Sequence, residues 1–429
     1  MDRRTFLKTT GAAVASAGLL PAQWETSQIE HVVLVMMENR SFDHLFGWLP
    51  NANGKQAGLT YLDTEGKPHK TFPLAPDFTG CDYDDPDHSY SGARLEYDNG
   101  KMDGFLKPAS NSVFSIGYYE EKDLPFRAAL ARNYTTCDRY FPSILGPTFP
   151  NRLFQHAGQT DRLDDDFSIS TLPTIWDNLK AKGITNKYYF SNIPFLALWG
   201  AKYIPISHTY AEFLVDCAAG TLPAVSYVDP TFTTLTNLDE DDHPHSDIRN
   251  GDAFLAKTFQ AVSNSPNWPN TVFIVNYDEW GGFYDTIVPP RAIAPNDVET
   301  DLVDGKALLG IRVPCIIASP WTRGNPANPT VNKTVFDHTS ILKLIETVWD
   351  VPPLAAREKS SDVGNLLSAL DLKVHNPEVP ALPSPGYVTP SSFCSSSTDP
   401  TGTSYFDDDE PYVFEQMIES GMLAGFPGY

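Results

Sequence analysis

Apolar residues arrive along this chain in short unbroken runs. Residues 31–37 read HVVLVMM and residues 271–277 read TVFIVNY. A run of strand length with no polar face suits a strand covered on both sides of a sheet. Similar runs predict strands over 187–191, 224–228 and 313–319. Segments of helical period lie between them, over 124–133, 174–182, 253–263 and 339–348. In TIWDNLKAKG, Ile175, Trp176 and Leu179 share one face, and Gly183 stands where a helix stops. Strands alternating with helices predict an α/β fold, a three-layer α/β/α arrangement around a mainly parallel central sheet. Ligands of such sheets bind beyond the carboxyl ends of the strands.

Two segments break the rhythm. Residues 50–120 are rich in Gly, Asp, Tyr and Pro and read as a long insertion over the sheet. Residues 376–411 are rich in Pro, Ser and Asp, a composition of low regularity.

The strand ends carry the first chemical signal. Glu38 and Asn39 follow the first strand, and Asp278 and Glu279 follow TVFIVNY. Carboxylates with an amide oxygen suit a hard or borderline divalent cation. Either pair alone reads equally as a loop or a helix cap; both together, at sheet carboxyl ends, point to a site. In FPSILGPTFPNRLF, Gly146, Pro147 and Pro150 stiffen the bend around Thr148. A hydroxyl on a rigid turn before a helix is placed like a nucleophile. The competing role for Thr148 is to cap a helix beginning near Asn151. His88 in DDPDHSY and His243 in DDHPHSD lie in Asp-crowded loops, where a histidine can hold a phosphoryl oxygen, bind metal or protonate a leaving group. His338 precedes a predicted helix, as a cap would. Tyr277, Trp280, Phe283 and Tyr284 crowd Asp278 and Glu279, mostly as core.

Composition narrows the setting. The formal net charge of -23 disfavours nucleic acid and anionic membrane as partners. The N-terminus, MDRRTFLKTTGAAVASAGLLPAQ, pairs Arg3-Arg4 with an apolar run too short to span a bilayer. That architecture is similar to a twin-arginine (Tat) export signal, and places the mature protein in the periplasm or outside the cell. Five cysteines without a CxxC pair do not form a cysteine-type zinc site; they allow one or two disulfides after export.

MMENRSFDHLFG, DPDHSY, GKMDGF, CDRYFPSILGPTFPNRLF, GTLPAVSYVDP, DHP, YDEWGGFYD, LGIRVPCIIASPW and DHTSILKLIE occur in this order over residues 31–348. Together they resemble the bacterial phosphoesterase family of phosphatidylcholine-type phospholipases C and a related acid phosphatase, in the alkaline-phosphatase-like superfamily. The resemblance implies a composite metal–phosphate site with one divalent ion; its oxygen-rich donors point to calcium, magnesium or manganese and leave zinc and iron open. It implies Glu38, Asn39, Asp278 and Glu279 as ligands. It implies Thr148 as both a ligand and the nucleophile, which would form a phosphothreonine. It implies His88 and His243 as the histidines that hold phosphoryl oxygens or serve the leaving group. A further histidine acts in some members; His156, His208 and His338 are the candidates. Trp280 and Thr286 stand where many relatives carry His. Arg40, Asp43 and His44 are expected to support the ligands from behind.

The domain expectation is a signal peptide over 1–23, a phosphoesterase domain over 24–355 and an extension over 356–429. The expected activity is phospholipase C-type hydrolysis of a phosphodiester. The alternatives are an acid phosphatase on soluble monoesters and a calcium-stabilised binding protein without turnover. The expected substrate is a phospholipid or small phosphoester, with membrane contact only transient through that substrate.

Overall fold

The computed structural model describes residues 26–234, 239–389 and 410–429. The export signal expected over 1–23 lies outside these residues. Among the described residues, eight strands form the main sheet: β1 (His31–Met37), β2 (Thr135–Cys137), β3 (Asn186–Phe190), β4 (Ser207–Thr209), β5 (Val225–Val228), β6 (Thr271–Tyr277), β7 (Cys315–Ala318) and β8 (Thr330–Asn332). Their spatial order is β8-β2-β7-β6-β1-β5-β3-β4. Neighbours pair in parallel except where β7 runs against β6 and β2. The sheet is therefore mainly parallel, as the apolar runs predict.

The two longest strands lie side by side at the centre. Val32, Val33, Leu34 and Val35 of β1 are inaccessible to solvent, as are Val272, Phe273 and Ile274 of β6. Burying each such side chain contributes about 1.5–3 kcal/mol, which is why these runs take the middle of the sheet.

The helices are α1 (Phe42–Phe46), α2 (Gly92–Tyr97), α3 (Pro125–Asn133), α4 (Thr148–Ala157), α5 (Ile175–Lys182), α6 (Tyr210–Ala219), α7 (Ile248–Ser263), α8 (His338–Trp349), α9 (Ala356–Lys359) and α10 (Glu410–Glu419). Helix α7 packs with α3 and α6; α4 packs with α5 and α8. These two groups form the outer layers. Helix α5 ends at Gly183 in the left-handed conformation, the stop its sequence announces. Two predicted helices begin earlier than their apolar period: α7 starts at Ile248 behind the cap Asp247, and α8 at His338 behind the cap Asp337.

The segment 50–120 folds into small ribbons, 60–62 with 68–70 and 72–73 with 117–118, together with α2. Beyond α9, residues 371–389 carry no regular structure and are tied to the domain by bonds such as Trp268 Nε1 to Pro377 O (2.8 Å) and Val388 N to Asn250 Oδ1 (2.8 Å). Cys81 is disulfide-bonded, and Cys137, Cys217 and Cys315 are free thiols; Cys394 lies outside the described residues. No described helix is long and apolar enough to cross a membrane.

Candidate active site

Strands β1 and β6 pair in register from His31 opposite Thr271 to Met37 opposite Tyr277. With no stagger, Glu38 and Asp278 leave the sheet side by side. The backbone N–H of Asp278 donates to Met37 O (3.1 Å), extending the ladder by one rung. Asn39 then turns into the left-handed region (φ 57°), which asparagine tolerates better than most residues. Its backbone N–H donates to Asp278 Oδ1 (3.2 Å). The turn is possible because Gly281 packs against it: a Cβ there would lie 2.0 Å from Asn39 O.

Thr148 opens α4, and Pro147 is the cap residue, so the hydroxyl is not the helix cap. Thr148 Oγ1 donates instead to Asn39 Oδ1 (3.3 Å). Asn151 braces the turn before it, with Nδ2 donating to Gly146 O (2.8 Å) and Pro147 O (3.1 Å), while its Oδ1 accepts from Ile144 N (3.1 Å). The first-turn N–H of Phe149 is taken by Asp165 Oδ1 (2.7 Å).

One turn beyond Thr148, Arg152 enters the same space. Its guanidinium contacts Glu38 Oε1 (2.7 Å), Asp229 Oδ1 (3.0 Å) and Asp278 Oδ2 (3.1 Å). Asp229 follows β5, so three neighbouring strands each end in a carboxylate that this guanidinium gathers. Sequence reasoning passed over Arg152 and Asp229. The signal for Asp229 was the same strand-end position that singled out Glu38 and Asp278; for Arg152 it was its place in GPTFPNR.

His88 and His243 come from distant loops and meet here, rings 5.7 Å apart and edge to face. His88 Nδ1 donates to Pro86 O (2.8 Å), which leaves Nε2 as the acceptor, 3.4 Å from Asn39 Nδ2. His243 likewise engages Pro244 O through Nδ1, and its Nε2 faces Asp85 Oδ2 at 3.7 Å. Burial, then the neighbouring His88, holds His243 well below the ordinary histidine range, so its ring is neutral. Glu38, Asn39, Thr148, His243, Asp278 and Glu279 are fully buried, and His88 is 8% exposed.

The other expected residues fall around this centre. His338 Nε2 engages Asp278 O (2.8 Å) and its Nδ1 engages Tyr140 OH (3.1 Å), so it holds the Asp278 backbone; Asp337, not His338, is the cap of α8. His156 is enclosed by Trp176, Phe195 and Tyr227, and His208 pairs with Glu212 at the sheet edge; neither joins the cluster. Arg40 Nε donates to Asp242 O (2.7 Å), bracing the loop that carries His243. Asp43 and Asp285 share Arg312, and Thr286 donates to Asp43, a network behind the strand-end residues. His44 lies against Phe283, ring centroids 4.0 Å apart and tilted by 34°.

Glu279 tests whether these residues suit a cation. Its Oε2 accepts from Gly281 N (2.6 Å), while its Oε1 is buried without a hydrogen-bond partner. Burial first, then Asp278, Asp165 and Glu38, pushes its carboxyl well above the carboxylate range. A divalent cation would relieve both conditions, and Glu38, Asn39, Thr148, Asp278 and Glu279 offer it the oxygen donors it prefers. Among the described residues no three His, Cys, Asp or Glu side chains stand together as a ready metal cluster. Arg152 holds part of the charge that a cation would balance.

The phosphoesterase family profile matches residues 29–352, most of the chain and the whole of this site. The chain belongs to the phosphoesterase family. Among curated relatives, non-specific phospholipase C6 of Arabidopsis thaliana is 33% identical over 77% of this chain and 69% of its own length. Phospholipase C A of Mycobacterium tuberculosis is 31% identical over 86% of this chain and 85% of its own. This phosphoesterase is accordingly a hydrolase of phosphoric esters. Among solved structures, a Vibrio parahaemolyticus protein of the alkaline phosphatase superfamily aligns with a TM-score of 0.39 at 11% identity, over 79% of this chain and 69% of that one.

Proposed function

We propose that this phosphoesterase cleaves phosphodiesters in the manner of a phospholipase C, with a divalent cation and a phosphothreonine intermediate on Thr148. The observation that carries the reading is the hydroxyl of Thr148, presented at the start of α4 against Asn39 and beside the strand-end carboxylates. Two relatives from different kingdoms, both named phospholipase C, favour a diester over the acid phosphatase alternative. A structural calcium site has no use for that hydroxyl, which counts against the binding-protein alternative.

Held by Glu38, Asn39, Thr148, Asp278 and Glu279, a divalent ion would supply positive charge to the phosphoryl oxygens and lower the pKa of the Thr148 hydroxyl. Thr148 Oγ1 bonds to phosphorus as the bond to the leaving oxygen breaks. Nε2 of His88 or of His243 takes up the threonine proton and delivers it to the departing alcohol. Arg152 holds Glu38 and Asp278 in place throughout. Water then attacks phosphorus, the P–Oγ bond breaks, and Thr148 regains its hydrogen. The Arg3-Arg4 signal supports export by the Tat machinery, so the substrate would be a phospholipid or small phosphoester met outside the cytoplasm.

The test is one purified sample assayed on phosphatidylcholine, a chromogenic phosphocholine diester and a chromogenic monoester, with and without chelator. Turnover of the diesters that stops on chelation is expected. Preference for the monoester would favour the phosphatase, and turnover indifferent to chelation would overturn the metal assignment.

A further inference from the structure

Glu96 lies on α2, outside the cluster described above, and its side chain is fully buried. Its Oε2 accepts from Trp280 Nε1 (2.6 Å) and its Oε1 from Asn111 Nδ2 (2.7 Å). Asn111 cannot turn its amide round, because its Oδ1 accepts the backbone N–H of Asp87 (2.6 Å) and its Nδ2 also serves Phe105 O (2.9 Å). The Trp280 indole can only donate. Residue 96 must therefore present an acceptor on both sides. A carboxylate does so; an amide of the same shape would turn its NH2 against one of the two donors.

The two donors lead to the two halves of the site. Trp280 directly follows Glu279, and Asn111 holds the backbone N–H of Asp87, which directly precedes His88. The same loops touch a second time at Gly282, where a Cβ would lie 2.5 Å from Pro86 Cβ and 3.0 Å from Asp87 O. We propose that Glu96 is a positioning residue whose carboxylate clamps the loop carrying His88 to the loop carrying Glu279. It thereby sets the distance between the histidine that meets the phosphoryl group and the metal-side carboxylate. The inference rests on the roles proposed above for His88 and Glu279.

The experiment uses the full chain and the chromogenic phosphodiester, with kcat, KM and thermal midpoint measured for wild type, Glu96→Gln, Trp280→Phe and the double variant. Glu96→Gln is expected to lower kcat about tenfold or more with KM changed less than about threefold, because misplaced groups act on the transition state. Once Trp280→Phe has removed one donor, glutamine at position 96 meets no conflict, so the second substitution should cost less than about threefold further. A kcat within about twofold of wild type for Glu96→Gln, or losses that simply multiply in the double variant, would overturn the clamp. If wild type turns over no phosphoester, the functional reading fails separately, and amide hydrogen exchange judges the clamp by itself. Glu96→Gln should then speed exchange over residues 84–90 and 279–284, and unchanged exchange in both segments would refute it.

Discussion

Replacing Arg152 with methionine removes a buried guanidinium that spans Glu38, Asp229 and Asp278 at 2.7, 3.0 and 3.1 Å. Methionine fills a similar unbranched volume, so the electrostatic term dominates the cavity term. Breaking one buried ion pair costs about 3–5 kcal/mol, because the remaining charge is left in a poor solvent. The three contacts share one cation and do not add, so a loss of about 3–5 kcal/mol is expected for the protein in chelator. Two of these carboxylates are also proposed metal donors. Freed of Arg152, they should bind a divalent cation more tightly. A cation present at about a hundredfold over its dissociation constant returns about 2.7 kcal/mol by mass action. Urea unfolding of wild type and Arg152→Met, each with chelator and with calcium, measures both effects. A loss below about 1 kcal/mol in chelator would show that Arg152 is not the counter-charge of this cluster. Equal stabilisation of both proteins by calcium would refute the shared carboxylates.

Thr148→Ala should leave fold and metal content intact while turnover falls by several orders of magnitude, on the order of that seen when a covalent nucleophile is removed; near-normal turnover in that variant would end the nucleophile assignment. Glu38→Gln and Asp278→Asn should each lower the bound-metal stoichiometry, read by elemental analysis after dialysis. Glu358 and Glu346 are both buried, and burial followed by the charge of Glu346 pushes Glu358 up to about 9. Since its folded pKa lies above its ordinary 4.5, its contribution to stability is complete below that value and is lost as pH rises toward about 9. Glu358→Gln should flatten this decline in urea midpoints, and an unchanged pH slope would sink the argument.

Much of the site was legible because buried strands announce themselves. The runs at 31–37 and 271–277 predict β1 and β6 to the residue, which puts the groups just beyond them, Glu38, Asn39, Asp278 and Glu279, at one sheet edge. The short strands β2, β4 and β8 were not foreseen, since three residues are too few to show a period. Helix α10 was also missed; its neighbouring composition, rich in Pro, Ser and Asp, drew the reading toward irregular chain. The cap assigned as an alternative to Thr148 failed because α4 begins one turn earlier than Asn151, which moves the threonine from before the helix into its first position.

Residue order alone determined which chemical groups stand at the ends of the central strands, because burial on both faces leaves a strand only its ends for polar side chains. It determined too that Thr148 sits on a stiff turn, since Gly146, Pro147 and Pro150 restrict the backbone locally. Which charges meet was decided only by the tertiary structure. Arg152 is 114 positions from Glu38 and 126 from Asp278, and only the packing of α4 over the carboxyl edge of β1 and β6 brings its guanidinium between them. The same holds for His88 beside His243, and for Glu96 between Trp280 and Asn111. Local preference acts over a few residues, whereas a buried charge or hydrogen bond is satisfied by whatever the fold carries to it.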